Sequence, residues 1–96
     1  MTLKYETDFA KKVDRQLTIV RELLISKNRI YGDSALNPVR VFSKADAAEQ
    51  LRVRIDDKLS RLTRGTNAGE DTIADLIGYL VLLRIALTEA NAYPED

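Results

Sequence analysis

From Ile73 to Leu87 the chain is apolar nearly all the way round a helix. Ile73, Leu76, Ile77, Leu80, Val81, Leu82, Leu83, Ile85 and Leu87 leave little room for a solvated face. An ordinary surface helix buries one stripe and wets the other. This one needs cover on two sides, which is the tightest constraint on the fold. Two helical segments precede it. In the first, about residues 7–27, Phe9, Val13, Leu17, Val20 and Leu24 recur at helical spacing, widened by Ile19, Leu23 and Ile25. In the second, about 44–64, Ala48, Leu51, Ile55, Leu59 and Leu62 form a narrower stripe. The third spans about 70–90. Strand-type alternation is absent, so the expectation is one all-α domain, 1–96, of three antiparallel helices. Two helices can cover one side of the third. In a chain of 96 residues the other cover is most simply a second subunit, giving a homo-oligomer, dimer or higher, with a shared core.

The boundaries carry local signals. Ser43-Lys44-Ala45-Asp46 resembles a capping box with Asp in place of Glu. Gly65 follows Arg61 and Arg64, a good stop at the negative end of a helix dipole. Thr66 to Gly69 reads as a turn, Asn67 to Glu70 has N-cap spacing, and Asn91 to Asp96 reads as a frayed tail. Gly78, mid-helix, costs about 1 kcal/mol relative to Ala and marks a close helix approach.

Composition narrows the chemistry. Without cysteine or histidine there is no thiol nucleophile, no zinc-thiolate site and no imidazole base. Any metal would be hard and oxygen-ligated, Mg²⁺ or Mn²⁺. A formal net charge of zero argues against a long nucleic acid as partner. The charge is uneven, however: residues 27–64 hold nine Lys/Arg against five Asp/Glu, and residues 65–96 hold one against six. A small anion suits the basic region better than a long polyanion. The longest apolar run is too short to span a bilayer, and the N-terminus lacks a signal peptide's apolar core, so a cytoplasmic protein with no membrane partner is expected.

The segment Lys27-Asn28-Arg29-Ile30-Tyr31-Gly32-Asp33-Ser34-Ala35-Leu36-Asn37-Pro38 opens a long connection, 28–43, between the first two helices. Helix-to-helix links are usually short. This one is dense in donors: Lys27, Arg29, Tyr31, Asp33 and Asn37 suit an anionic, planar, oxygen-rich ligand, as a nucleotide is. A packed loop stapled by Tyr31 and Leu36 is the plainer alternative. In the second helix Arg54, Asp57, Lys58 and Arg61 form a polar stripe, readable as a phosphate clamp or as a solvated face stitched by ion pairs. Arg52, at the edge of the apolar stripe, has Asp56 as its expected mate. In the third helix Asp71, Asp75 and Tyr79 share a face. Two carboxylates a turn apart can ligate Mg²⁺. Equally, Asp71 can serve the helix N-terminus, and Asp75, among apolar neighbours, can pair with an arginine of the second helix.

Three ordered blocks carry a resemblance: Lys27-x-x-x-Tyr31-Gly32-Asp33-Ser34, then Arg54-Ile55-x-Asp57-Lys58-x-x-Arg61-Leu62, then Glu70-Asp71-x-x-x-Asp75-Leu76-x-x-Tyr79. Together they cover about residues 27–82 and look like the nucleotide modification-associated domain family of phages, itself similar to all-α MazG-like nucleoside triphosphate pyrophosphohydrolases. The resemblance implies a helical, oligomeric, nucleotide-binding fold with sites between helices or subunits. In MazG-like enzymes an E-x-x-E pair and an E-x-x-D pair hold the Mg²⁺ that activates water. This chain departs from that pattern. The first helix offers only Glu22, the second has Asp56 and Asp57 among cations, and Asp71 and Asp75 have a different spacing.

The leading expectation is therefore a non-enzymatic, phage-type protein that captures a nucleotide or nucleotide-derived signalling molecule, with an anti-defence role. Lys27, Arg29, Arg54, Lys58 and Arg61 would hold phosphates, Tyr31 would stack on a base, and Asp33 or Asn37 would read a ribose or base edge. The alternatives are a Mg²⁺-dependent pyrophosphohydrolase using Asp57, Asp71 and Asp75, and a plain helical interaction protein.

Overall fold

A computed structural model describes residues 7–65 and 71–91 of the chain. Three helices account for most of them: α1 (Asp8–Tyr31), α2 (Ala47–Arg64) and α3 (Thr72–Glu89). The expected all-α class is what the chain adopts, and none of these helices is long and apolar enough to cross a membrane.

Each start is set by an oxygen-bearing side chain. Thr7 Oγ1 accepts from the Ala10 N–H at 3.1 Å, Asp46 Oδ1 from Glu49 at 2.8 Å, and Asp71 Oδ1 from Ala74 at 3.0 Å. The second helix thus begins at Ala47, not near residue 44. Asp46 is itself the cap, while Ser43 Oγ accepts from the Ala45 N–H in the preceding turn. The first helix runs to Tyr31, one turn beyond the expected 27. Gly32 ends it with φ 67°, a backbone conformation that glycine adopts without penalty. Gly65 closes α2 in the left-handed conformation, its N–H reaching the Arg61 and Leu62 carbonyls. The expected turn at 66–69 and cap at 67–70 lie outside the described residues, as does most of the expected tail.

Helix α3 is the centre. It packs on both α1 and α2, whereas α1 and α2 do not pack on each other. Two contacts fix the direction of α1: Lys27 meets Asp75 and, one turn back, Leu24 meets the backbone at Gly78. Sequence number falls along α1 as it rises along α3, so the two run antiparallel. The short link between α2 and α3 makes that pair an antiparallel hairpin. It follows that α1 and α2 run parallel to each other. The connection 32–46 is therefore a crossover. It returns the chain along the length of α2, about 27 Å for 18 residues, before α2 can start.

At Gly78 α1 approaches α3 closely. A Cβ built there would sit 3.2 Å from Leu24 Cδ2, which explains a helix-weakening residue in this position. The interior is small. Val20, Leu51, Ile55 and Ala74 are its buried apolar residues, joined by Thr72. Many large apolar side chains stay exposed on all three helices.

Candidate ligand-binding cleft

Because α1 and α2 flank α3 without packing on each other, a cleft of about 470 Å³ opens between them. Its floor is α3, with Asp75, Gly78, Tyr79 and Leu82. One wall is the C-terminal end of α1, with Leu23, Leu24, Lys27, Asn28 and Tyr31. Gly32, Asp33, Ser34 and Ala35, at the start of the crossover, continue that wall, and Arg54 contributes from α2. The volume lies within the range of about 300–1,000 Å³ usual for small-molecule sites.

Asp75 organises the cleft. Its Oδ1 accepts from Lys27 Nζ at 3.1 Å and its Oδ2 from Lys58 Nζ at 3.4 Å, so one carboxylate on α3 joins α1 to α2. The Asp75 and Lys58 side chains are each only 12% exposed. A carboxylate so withdrawn from water requires compensation, and two ammonium groups supply it. The expected partner was an arginine of α2. The second helix instead presents Lys58, while Arg61 Nε turns to Asp57 Oδ2 at 3.2 Å. Asp33 is organised differently. Its Oδ1 accepts from Asn28 Nδ2 at 3.1 Å and its Oδ2 from Asn37 Nδ2, while the Asn37 N–H closes a turn on the Asp33 carbonyl at 2.8 Å. Two amides thus fix the acid at the mouth of the cleft.

Of the residues expected to form a site, Lys27, Tyr31, Asp33, Arg54 and Asp75 do converge here. The others do not line the cleft. Arg29 fails because α1 extends through it: two residues along a helix turn the side chain by about 200°, so Lys27 and Arg29 cannot share a face, whereas Lys27 and Tyr31 do. Asn37 stands behind Asp33 and holds it. Lys58 stands behind Asp75. Asp57 and Arg61 pair with each other, and Arg61 lies about 10 Å beyond Arg54 along α2. Arg52 pairs with Glu49 at 3.3 Å in place of Asp56. Asp71 is the N-cap of α3 and Asp75 is held by lysines, so the two acids read as Mg²⁺ ligands are both engaged. Among the described residues no three acidic side chains converge as a metal site.

Sequence reasoning left Asn28, Ser34 and Tyr79 out of the site. Asn28 had the clearest signal, one turn before Gly32. Tyr79 was visible on the Asp75 face of α3, but nothing local indicates that this face turns toward α1.

The lining charges balance, with Lys27 and Arg54 against Asp33 and Asp75. Both carboxylates are already engaged. Arg54 is the lining charge with no ion-pair partner among the described residues, and two phenol rings, an amide and a hydroxyl surround the same space. Such a set can take a planar group with one or two negative charges. No family model, curated protein or solved structure matches the chain. The family resemblance therefore stands on its three blocks alone, and the cleft's own chemistry is what points to a function.

Proposed function

We propose that the chain binds a nucleotide or nucleotide-derived signalling molecule in the cleft between α1 and α2, and holds it without cleaving it. The observation that carries this is the convergence of Lys27, Arg54, Tyr31 and Tyr79 on one open cavity. Arg54 and Lys27 meet the phosphate, Arg54 by a planar, forked donor set that suits two oxygens at once. Tyr31 stacks on the base. Asp33, already oriented by Asn28 and Asn37, accepts from a ribose hydroxyl or a base N–H. Capture is favoured over hydrolysis because Asp71 caps α3 and both oxygens of Asp75 accept from lysines, so the two acids do not form a free pair for a metal ion. The resemblance to phage proteins adds a setting, sequestration of a host defence signal.

The test is mass spectrometry of the purified chain incubated with Mg²⁺ and a pool of nucleoside phosphates, cyclic nucleotides and ADP-ribose-type compounds. Bound and free fractions are both analysed. One compound retained intact and released on denaturation is the expected outcome. Arg54→Ala should weaken its retention by roughly tenfold or more, the scale of a lost charged hydrogen bond. Conversion of a triphosphate to monophosphate and pyrophosphate would replace capture with hydrolysis. No retention, or retention indifferent to Arg54→Ala, would remove the cleft from the account.

A further inference from the structure

The charged side chains that line the cleft are not equally free. Asp75 is compensated twice, its Oδ1 by Lys27 Nζ at 3.1 Å and its Oδ2 by Lys58 Nζ at 3.4 Å. Lys27 therefore faces the cleft already shared with a carboxylate. Arg54 is the lining cation with no ion-pair partner among the described residues. Asp33 is the opposite case. Its two carboxylate oxygens accept from Asn28 Nδ2 and Asn37 Nδ2, and no cation pairs with it among the described residues. Those donors are neutral amides. They fix the direction of the carboxylate and leave its charge in place. The Asn37 N–H, bonded to the Asp33 carbonyl at 2.8 Å, holds the backbone as well.

We infer that the anionic part of the ligand is a single phosphodiester, as in a 3′,5′-cyclic nucleotide, and that Asp33 is the residue that turns polyphosphates away. This takes the binding proposed above as given and fixes the charge class of what is bound. On the lining itself, Lys27 and Arg54 are matched by Asp33 and Asp75. A phosphodiester brings one negative charge, and the Arg54 guanidinium can meet two of its oxygens at once. A phosphate monoester brings about −1.5 to −2 at pH 7, and every further phosphate adds to that. The added charge finds no second unshared cation on the lining, and it enters past a carboxylate that two amides keep from turning aside. Like charges held opposite one another select against the wrong ligand.

The probes are the 3′,5′-cyclic monophosphates, 5′-monophosphates and 5′-triphosphates of the common nucleosides. Their retention by the full chain is read by mass spectrometry without Mg²⁺, which would mask phosphate charge. For whichever nucleoside is held, the cyclic diester should be retained about tenfold better than the triphosphate, with the monophosphate between them. Asp33→Asn keeps the shape and removes the charge, so it should bring that ratio toward one. Salt should do the same, because the Debye length falls from about 30 Å at 0.01 M to about 3 Å at 1 M. Should Asp33→Asn lose its helical circular dichroism, the salt series on the wild-type chain decides. A triphosphate held as tightly as the diester overturns the inference and leaves capture standing. So does retention of ADP-ribose with no cyclic nucleotide held. A preference for the diester that neither salt nor Asp33→Asn alters is exclusion by shape, and it removes Asp33 from the role. Retention of no nucleotide of any charge overturns this inference together with the binding it rests on.

Discussion

The two halves of α1 carry the same apolar stripe and meet different fates. Toward the C-terminal end, Val20 is 5% exposed and Leu24 lies against Gly78. Toward the N-terminal end, Phe9 is 75% exposed. Nothing in the spacing of the residues separates the halves. The difference is the length of α3. With Lys27 level with Asp75 and Leu24 level with Gly78, the last residue of α3, Glu89, lies level with Val13. Beyond that point no helix among the described residues lies beside α1. A periodic stripe tells which face of a helix is apolar; it does not tell how far the opposing surface extends.

Substitutions can break this comparison or sharpen it. The largest effect is expected at the docked end, from Asp75→Asn. Removing one charge leaves two lysines facing a neutral amide, one of them largely buried. A loss of about 3 kcal/mol in chemical unfolding is expected, at the lower edge of what breaking buried pairs costs because Lys27 is partly solvated. A change under about 1 kcal/mol would mean that Asp75 does not tie α1 to α2. Next comes Val20→Ala, expected to cost about 2 kcal/mol through lost burial and the cavity left behind. Phe9→Ala should be the mildest, within about 0.5 kcal/mol, although it deletes the larger side chain. If Phe9→Ala proved as costly as Val20→Ala, the N-terminal half of α1 would be covered in solution, and the contrast between the halves would be one between two partners.

The same contrast marks what the sequence made legible. The three helices and their apolar faces were readable from residue spacing, and the caps nearly so. Asp71 declared itself by its place before Thr72 and Ile73, while Ser43 drew attention from the true cap at Asp46. The end of α1 was harder. Asp33, Asn37 and Pro38 are strong breakers, but Lys27 to Tyr31 contains none, so the helix continues until Gly32 allows it to stop. That single extra turn rearranges the site by placing Lys27 beside Tyr31 and sending Arg29 away. The need of Asp75 for a cation was also readable, because an acid among Ile73, Leu76 and Ile77 cannot stand alone. Its partners were not. Lys27 lies 48 residues away and reaches Asp75 only because the crossover sets α1 antiparallel to α3, and no local pattern encodes that direction.

The crossover also orders events in time. The link between α2 and α3 is short, so closing that hairpin costs little chain entropy. Bringing α1 to α3 means closing a loop across α2 and the whole crossover. On that ground the hairpin is expected to form first and α1 to dock last. The cleft has one wall on the late-docking helix and its floor on the hairpin, so it exists only once the final step is complete. A ligand held there acts as a brake on the reverse step. Amide hydrogens of α1 that exchange through undocking should exchange more slowly with ligand bound, while those of α2 that open only with the whole fold follow global stability.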